Sequence, residues 1–191
     1  MRVYALDEQS KQILLKAARE SVIAAVKGQR QAEVSSDRPE LLSNCGCFVT
    51  LKNSGRLRGC IGQFTSDRPL IELVSEMAVS SATRDPRFVA EPVTPAELGF
   101  LDIEISVLSP LKKTDDPLSL RLGIDGIYIK SGHRSGCFLP QVAAETGWNE
   151  RQFLTHCCVH KAGLSPDAWQ QKDTDVYLFT ADVFGAPLDE I

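Results

Sequence analysis

Six consecutive residues, Leu57-Arg58-Gly59-Cys60-Ile61-Gly62, put a cation and a thiol two positions apart between glycines. Read as a β-strand, the run sends Leu57 and Ile61 to one face and Arg58 and Cys60 to the other, with same-face neighbours ~7 Å apart. A guanidinium at that distance favours the thiolate and lowers the thiol pKa, so Cys60 is the expected nucleophile or covalent carrier. Arg58 is then its activator and an anion binder. Gly59 and Gly62 weaken a strand, which is tolerated where a ligand or another element must come close to the backbone. The plainer alternative is that Arg58 points to solvent and Cys60 fills core space, as free cysteines commonly do.

Other chemistry-bearing residues are weighed the same way. Asp85 and Arg87 flank Pro86 after a helical stretch, where a turn role competes with a site role. Glu104 stands opposite Ile103 and Ile105 on an alternating run and can reach a cation such as Arg87. His156 and His160 are four apart on a helix with Cys157 beside them, which is two ligands of the four a closed zinc site needs. The segment also lacks the Glu of a His-Glu-x-x-His metalloprotease helix. His160 near a helix C-terminus and core burial of Cys157 or Cys158 explain the cluster without a metal. No metal and no cofactor are expected. His133 reads as an exposed turn residue.

Six cysteines without a Cys-x-x-Cys pair, in a chain read as cytoplasmic, point to free thiols, at least four of them in the core. Phosphate-cradling, dinucleotide-binding, nucleophile-elbow and iron–sulfur motifs are absent. A formal net charge of -4 supplies no field to attract nucleic acid or an anionic membrane. The polar start and the lack of any long apolar run exclude a signal region and a spanning helix from this reading. With 43% apolar residues, 191 positions can bury one core without staples, so residues 1–191 are expected to form a single domain, with room for a small inserted lobe.

The elements that must carry these residues follow from local signals. Asp7 caps a first helix, whose apolar positions Leu14, Ala17, Ala18 and Val22 recur at helical spacing until Lys27-Gly28. Strands 47–51 and 57–64 form a hairpin around Asn53-Ser54-Gly55-Arg56. A second helix begins near Asp67 and ends at Asp85-Pro86, and strand 101–108 follows. A second hairpin, 126–130 with 136–139, leads through Pro140 into a short helix ended by Gly147. Asn149 and Gln152 box the start of another helix running to Lys161, and strand 176–184 comes last. Hairpins and helices without regular βαβ alternation define an α+β chain with a mixed or antiparallel sheet and flanking helices.

Asn44-Cys45-Gly46, Leu57 to Gly62, Asp85-Pro86-Arg87-Phe88, Leu139-Pro140-Gln141-Val142 and Lys161-Ala162-Gly163-Leu164 occur in that order, and together they resemble the AMMECR-type family. Its prokaryotic members are called AmmeMemoRadiSam system protein A. The resemblance implies a two-lobed α+β fold with a cleft near the signature run, and the company of a Memo-like protein and a radical S-adenosylmethionine protein. It carries Arg58, Gly59, Cys60, Gly62, Asp85, Arg87 and Gln141 over as family positions. With Glu104, these make Cys60 and Arg58 the catalytic candidates and the rest candidate contacts of a small-molecule ligand. Three function classes stay open: a cytoplasmic enzyme or enzyme component with that ligand cleft, a non-catalytic binding, adaptor or regulatory module, and, weakest on charge grounds, nucleic-acid regulation.

Overall fold

The computed structural model describes residues 6–191, and the reading of residues 1–5 lies outside them. The described chain divides into two compact units, one of residues 6–108 and 182–191, the other of residues 109–181.

In the first unit, helix α1 (Glu8–Val26) is started by Asp7, whose side chain accepts from the Ser10 N–H at 2.7 Å. Its buried stripe includes Leu14, Leu15, Ala18 and Val22. Strands β1 (Cys47–Asn53) and β2 (Arg56–Gln63) form an antiparallel hairpin. Ser54 and Gly55 turn it with φ of 50° and 79°, the positive values that a tight hairpin turn demands. β1 also pairs antiparallel with β3 (Leu101–Leu108), which leaves β1 between β2 and β3. On β3 the alternation holds: Leu101, Ile103, Ile105 and Val107 are all buried, Asp102 is exposed and Glu104 half-buried, although Ser106 is buried as well.

Helix α2 (Leu70–Thr83) lies against the apolar face of this sheet. It begins three residues later than expected, because Pro69 serves as the N-cap rather than as a residue of the first turn. The contact is close at Gly59, where a Cβ would stand 1.9 Å from the Ser81 carbonyl oxygen. Only a residue without a side chain lets the helix backbone settle there. Pro95–Phe100 forms a short 3₁₀ turn before β3, with Thr94 and Glu97 boxing its start.

The second unit is built on β5 (Asp125–Ser131) and β6 (Arg134–Phe138), an antiparallel hairpin turned at Gly132 with φ 56°. β5 pairs on its other side with the beginning of β7 (Asp175–Pro187), and the two-residue strand β4 (Lys112–Lys113) pairs with β7. The last residues of β7 belong to the first unit. Helix α3 (Pro140–Thr146) ends at Gly147 in the left-handed region, and α4 (Glu150–Cys157) starts with the Asn149–Gln152 capping box. Ile127, Ile129, Phe138, Phe153, Leu154, Cys157, Cys158 and Trp169 form the core of this unit.

A second helix also differs from expectation. α4 stops at Cys157 and widens into a π turn over Cys158–Ala162 before Gly163 ends it at φ 63°. The packing beneath this turn is tight, since a Cβ on Gly136 of β6 would lie 2.4 Å from the Ala162 nitrogen. The architecture is α+β, with antiparallel strands and flanking helices. Among the described residues, no helix is long and apolar enough to cross a membrane.

Candidate functional site

The signature run forms β2, a strand that among the described residues pairs with β1 alone, and its pairing register is not uniform. Leu51 pairs with Gly59 but Lys52 with Leu57, so Arg58 is the extra residue of a β-bulge. Simple alternation therefore misassigns the faces. Leu57 stands opposite Lys52 on the face of Thr50 and Cys60, while Gly59 and Ile61 stand opposite Leu51 and Val49 on the apolar face.

The bulge changes what Arg58 does. Its Nε donates to Glu97 Oε1 at 2.7 Å and its Nη2 to Glu97 Oε2 at 3.2 Å and to the Glu91 carbonyl at 3.1 Å. A bidentate carboxylate holds the guanidinium, so the expected activation of the Cys60 thiol by Arg58 is corrected. Arg58 instead holds the Glu97 carboxyl down at about 2, helped by the Thr94 N–H and hydroxyl and by the Asn53 amide. Glu97 is the residue that sequence reasoning missed. The Thr94-x-x-Glu97 box was legible, but its cation partner 39 positions away was not.

Cys60 is held through its backbone and its sulfur. Its N–H donates to Asp85 Oδ2 at 2.8 Å, and its carbonyl accepts from Arg87 Nη2 at 3.3 Å. The Thr50 hydroxyl, directly across the hairpin, donates to Sγ at 3.2 Å. Asp85 is itself buried and accepts from the Arg87 backbone N–H and from Nε, both at 3.0 Å, and from Nη2 at 2.6 Å. Arg87 foremost, then the Cys60 and Arg87 N–H groups, hold the Asp85 carboxyl at about 2 against the opposing effect of burial. The Asp85-Pro86-Arg87 turn thus bonds to the free edge of β2 as a short strand would.

Other positions fall into place around this clamp. Glu104 lies on the face opposite Ile103 and Ile105 and reaches a cation as expected, which is Lys52 at 3.3 Å in place of Arg87. The reason is register: Thr50 lies directly across from Glu104, so Lys52 is a diagonal neighbour, while Arg87 is engaged by Asp85. Gly62 leaves room for the Phe48 ring and the Cys47 carbonyl, which a Cβ would meet at 2.3 and 2.4 Å. Another element thus makes the close approach at each signature glycine. Gln141 sits in the first turn of α3, in the second unit.

A cavity of about 550 Å³ opens beside the hairpin, lined by Asn53, Arg56, Leu57, Arg58, Phe88 and Glu97 among others. The Arg58 and Arg87 guanidiniums lie 5.8 and 5.6 Å from the Phe88 ring centre, which makes Phe88 an aromatic surface carrying two cations. Arg58 lines this cavity and Cys60 does not. The residues read as one cation–thiol pair thus form two adjacent features of the same strand.

The six thiols are free. Three are buried, Cys47, Cys157 and Cys158, fewer than the four or more expected in the core, while Cys45, Cys60 and Cys137 are half-buried. Burial pushes the thiols of Cys45, Cys47, Cys157 and Cys158 up. The His156 ring stacks on Trp148 at 4.1 Å and on His160 at 5.3 Å. Among the described residues, no three His, Cys, Asp or Glu side chains gather as a metal site. His133 is exposed, as a turn residue should be.

With fold and site in view, the class is an α+β protein whose edge strand presents a clamped cysteine. The chain belongs to the AMMECR1 family, whose model matches residues 15–184. It is 39% identical to a protein of Methanothermobacter thermautotrophicus over 96% of this chain and 98% of that one. A Methanopyrus kandleri protein is 41% identical over 91% and 86%. The crystal structure of an uncharacterised protein from Pyrococcus horikoshii superposes with a TM-score of 0.86 at 38% identity, covering 95% of this chain and 94% of that one.

Proposed function

We propose that the protein handles a small electrophilic molecule through the Cys60 thiol, as an enzyme or as the thiol-bearing component of one. One observation carries this reading: Cys60 is half-buried yet fixed at three atoms, its nitrogen by Asp85, its oxygen by Arg87 and its sulfur by Thr50. The two backbone bonds cover the free edge of β2 and fix the position of the residue, and the Thr50 bond alone reaches the sulfur, which as a reacting atom gains from being held in one position. The Thr50 hydroxyl stabilises negative charge on Sγ as the thiol proton passes to solvent; the sulfur then adds to an electrophilic carbon of an activated double bond, whose π electrons move away from that carbon and are protonated by solvent. Arg58 enters the reading as a wall of the neighbouring cavity, where Phe88 offers a planar surface. Memo-like and radical S-adenosylmethionine partners, which the family resemblance implies, would supply any radical step.

A second reading, a non-catalytic binding module, is favoured by the Arg58–Glu97 pair, which holds the Arg58 guanidinium as a fixed part of the cavity wall. The two part on covalency. The full-length protein is incubated with a small-molecule extract of cells and analysed by peptide mass spectrometry. A mass increase confined to the Cys60 peptide and lost in Cys60→Ser supports the thiol reading. Saturable binding without an adduct on Cys60 supports the binding module instead.

A further inference from the structure

The second unit carries a cavity of its own, of about 340 Å³, with Lys112, Lys113, Ser119, Arg121, Asp125 and Leu178 in its lining. Three cations here face one carboxylate, in a chain whose formal net charge is -4. Arg121 is aimed by a buried acid: Asp125, with a side chain 5% exposed, accepts from Arg121 Nε at 2.8 Å, from Nη2 at 2.7 Å and from the Arg121 backbone N–H at 2.8 Å. That grip occupies one edge of the guanidinium. Nη1 and the outward N–H of Nη2 remain, on a side chain 43% exposed.

Lys113 is taken up by Asp175 at 2.6 Å. The Lys112 ammonium makes no ion pair or hydrogen bond among the described residues, although a carboxylate lies within reach of each of the other two cations. Adding Asp175 to the lining charges still leaves a surplus of one positive charge. Leu178, paired with Lys112 across β4 and β7, gives the cavity an apolar wall beside its cations. A rigid guanidinium edge and a separate ammonium in one concave space suit a tetrahedral oxyanion, which offers acceptors in several directions, better than a planar carboxylate.

We infer that this cavity binds a small organic phosphate, its phosphate group held by Arg121 and Lys112 and its organic part against Leu178. The size lies within the range of small-molecule sites. This site is independent of Cys60, which belongs to the other unit.

The test is a titration of ¹⁵N-labelled full-length protein at fixed ionic strength with phenyl phosphate, inorganic phosphate and phenylacetate. Phenyl phosphate should give saturable amide shifts at Lys112, Lys113 and the Arg121 to Asp125 turn, and should bind more tightly than inorganic phosphate. Lys112→Glu, on an exposed two-residue strand, keeps the fold and should weaken binding roughly tenfold or more, the loss of one charge-assisted contact. Shifts that do not saturate, or equal affinity in Lys112→Glu, overturn the site. Inorganic phosphate binding as tightly as phenyl phosphate overturns the organic ligand, and phenylacetate doing so overturns the phosphate.

Discussion

Arg58 and Glu97 show how one pair decides what a residue is for. Arg58 is only 16% exposed at its side chain and Glu97 21%, and the carboxylate takes both parallel N–H groups. The Glu97 carboxyl, ordinarily at 4.5, is held at about 2. A carboxyl depressed on folding adds stability that is fully present above its ordinary value and is lost as pH falls from 4.5 toward about 2. Changing Arg58 to Ala should therefore move the Glu97 pKa back toward 4.5, as read by NMR titration of the carboxyl carbon. It should also flatten the loss of stability across that acid window. A Glu97 titration that does not move would mean that Thr94 and Asn53 hold the carboxylate by themselves. Cys60 was singled out in the sequence because of Arg58, and that reason does not survive. The cation on its own strand is turned away by the bulge, and the groups that hold Cys60 come from residues 50, 85 and 87.

At the scale of elements, what depends on neighbours in sequence was legible and what depends on partners across the fold was not. The Asp7 cap, the Asn149–Gln152 box, the Ser54-Gly55 turn and the Gly147 and Gly163 stops are local devices, and each stands where the residues indicate. The bulge at Arg58 and the π turn after Cys157 depend on what lies opposite, and nothing in the sequence announces them. Gly59 lies between the two cases. Its presence in a strand signals a close approach, and only the structure names α2 as the element that approaches. A methyl group at Gly59 must displace either β2 or the Ser81 carbonyl of α2. Gly59→Ala is accordingly expected to cost roughly 3 kcal/mol, the upper end of ordinary overpacking, in urea denaturation of the full chain. A loss within about 0.5 kcal/mol, typical of a neutral surface change, would show that the helix and strand are not fixed in this contact.

For the whole molecule, the α+β class was readable from the order of hairpins and helices and the family from the order of its motifs, and the family match spans residues 15–184. Length left room for a small lobe and the family resemblance implied two lobes, but no residue signal placed the division into two compact units, because β7 runs unbroken through the boundary and no linker marks it. The six cysteines divide evenly between the units. Cys45, Cys47 and Cys60 fall in the first and Cys137, Cys157 and Cys158 in the second. Of these, Cys47, Cys157 and Cys158 are buried with their thiols pushed up, and Cys45 is pushed up by partial burial. The measurement that tests the account most directly is timed alkylation of the native protein by iodoacetamide near neutral pH, with each cysteine peptide quantified by mass spectrometry. Cys60 should be modified well before Cys45, Cys47, Cys157 and Cys158, and Thr50→Val should slow it roughly tenfold by removing the hydroxyl that bonds the sulfur. A Cys60 that stays unmodified as long as Cys47, in protein that remains folded, would contradict the assignment of Cys60 as the reacting atom.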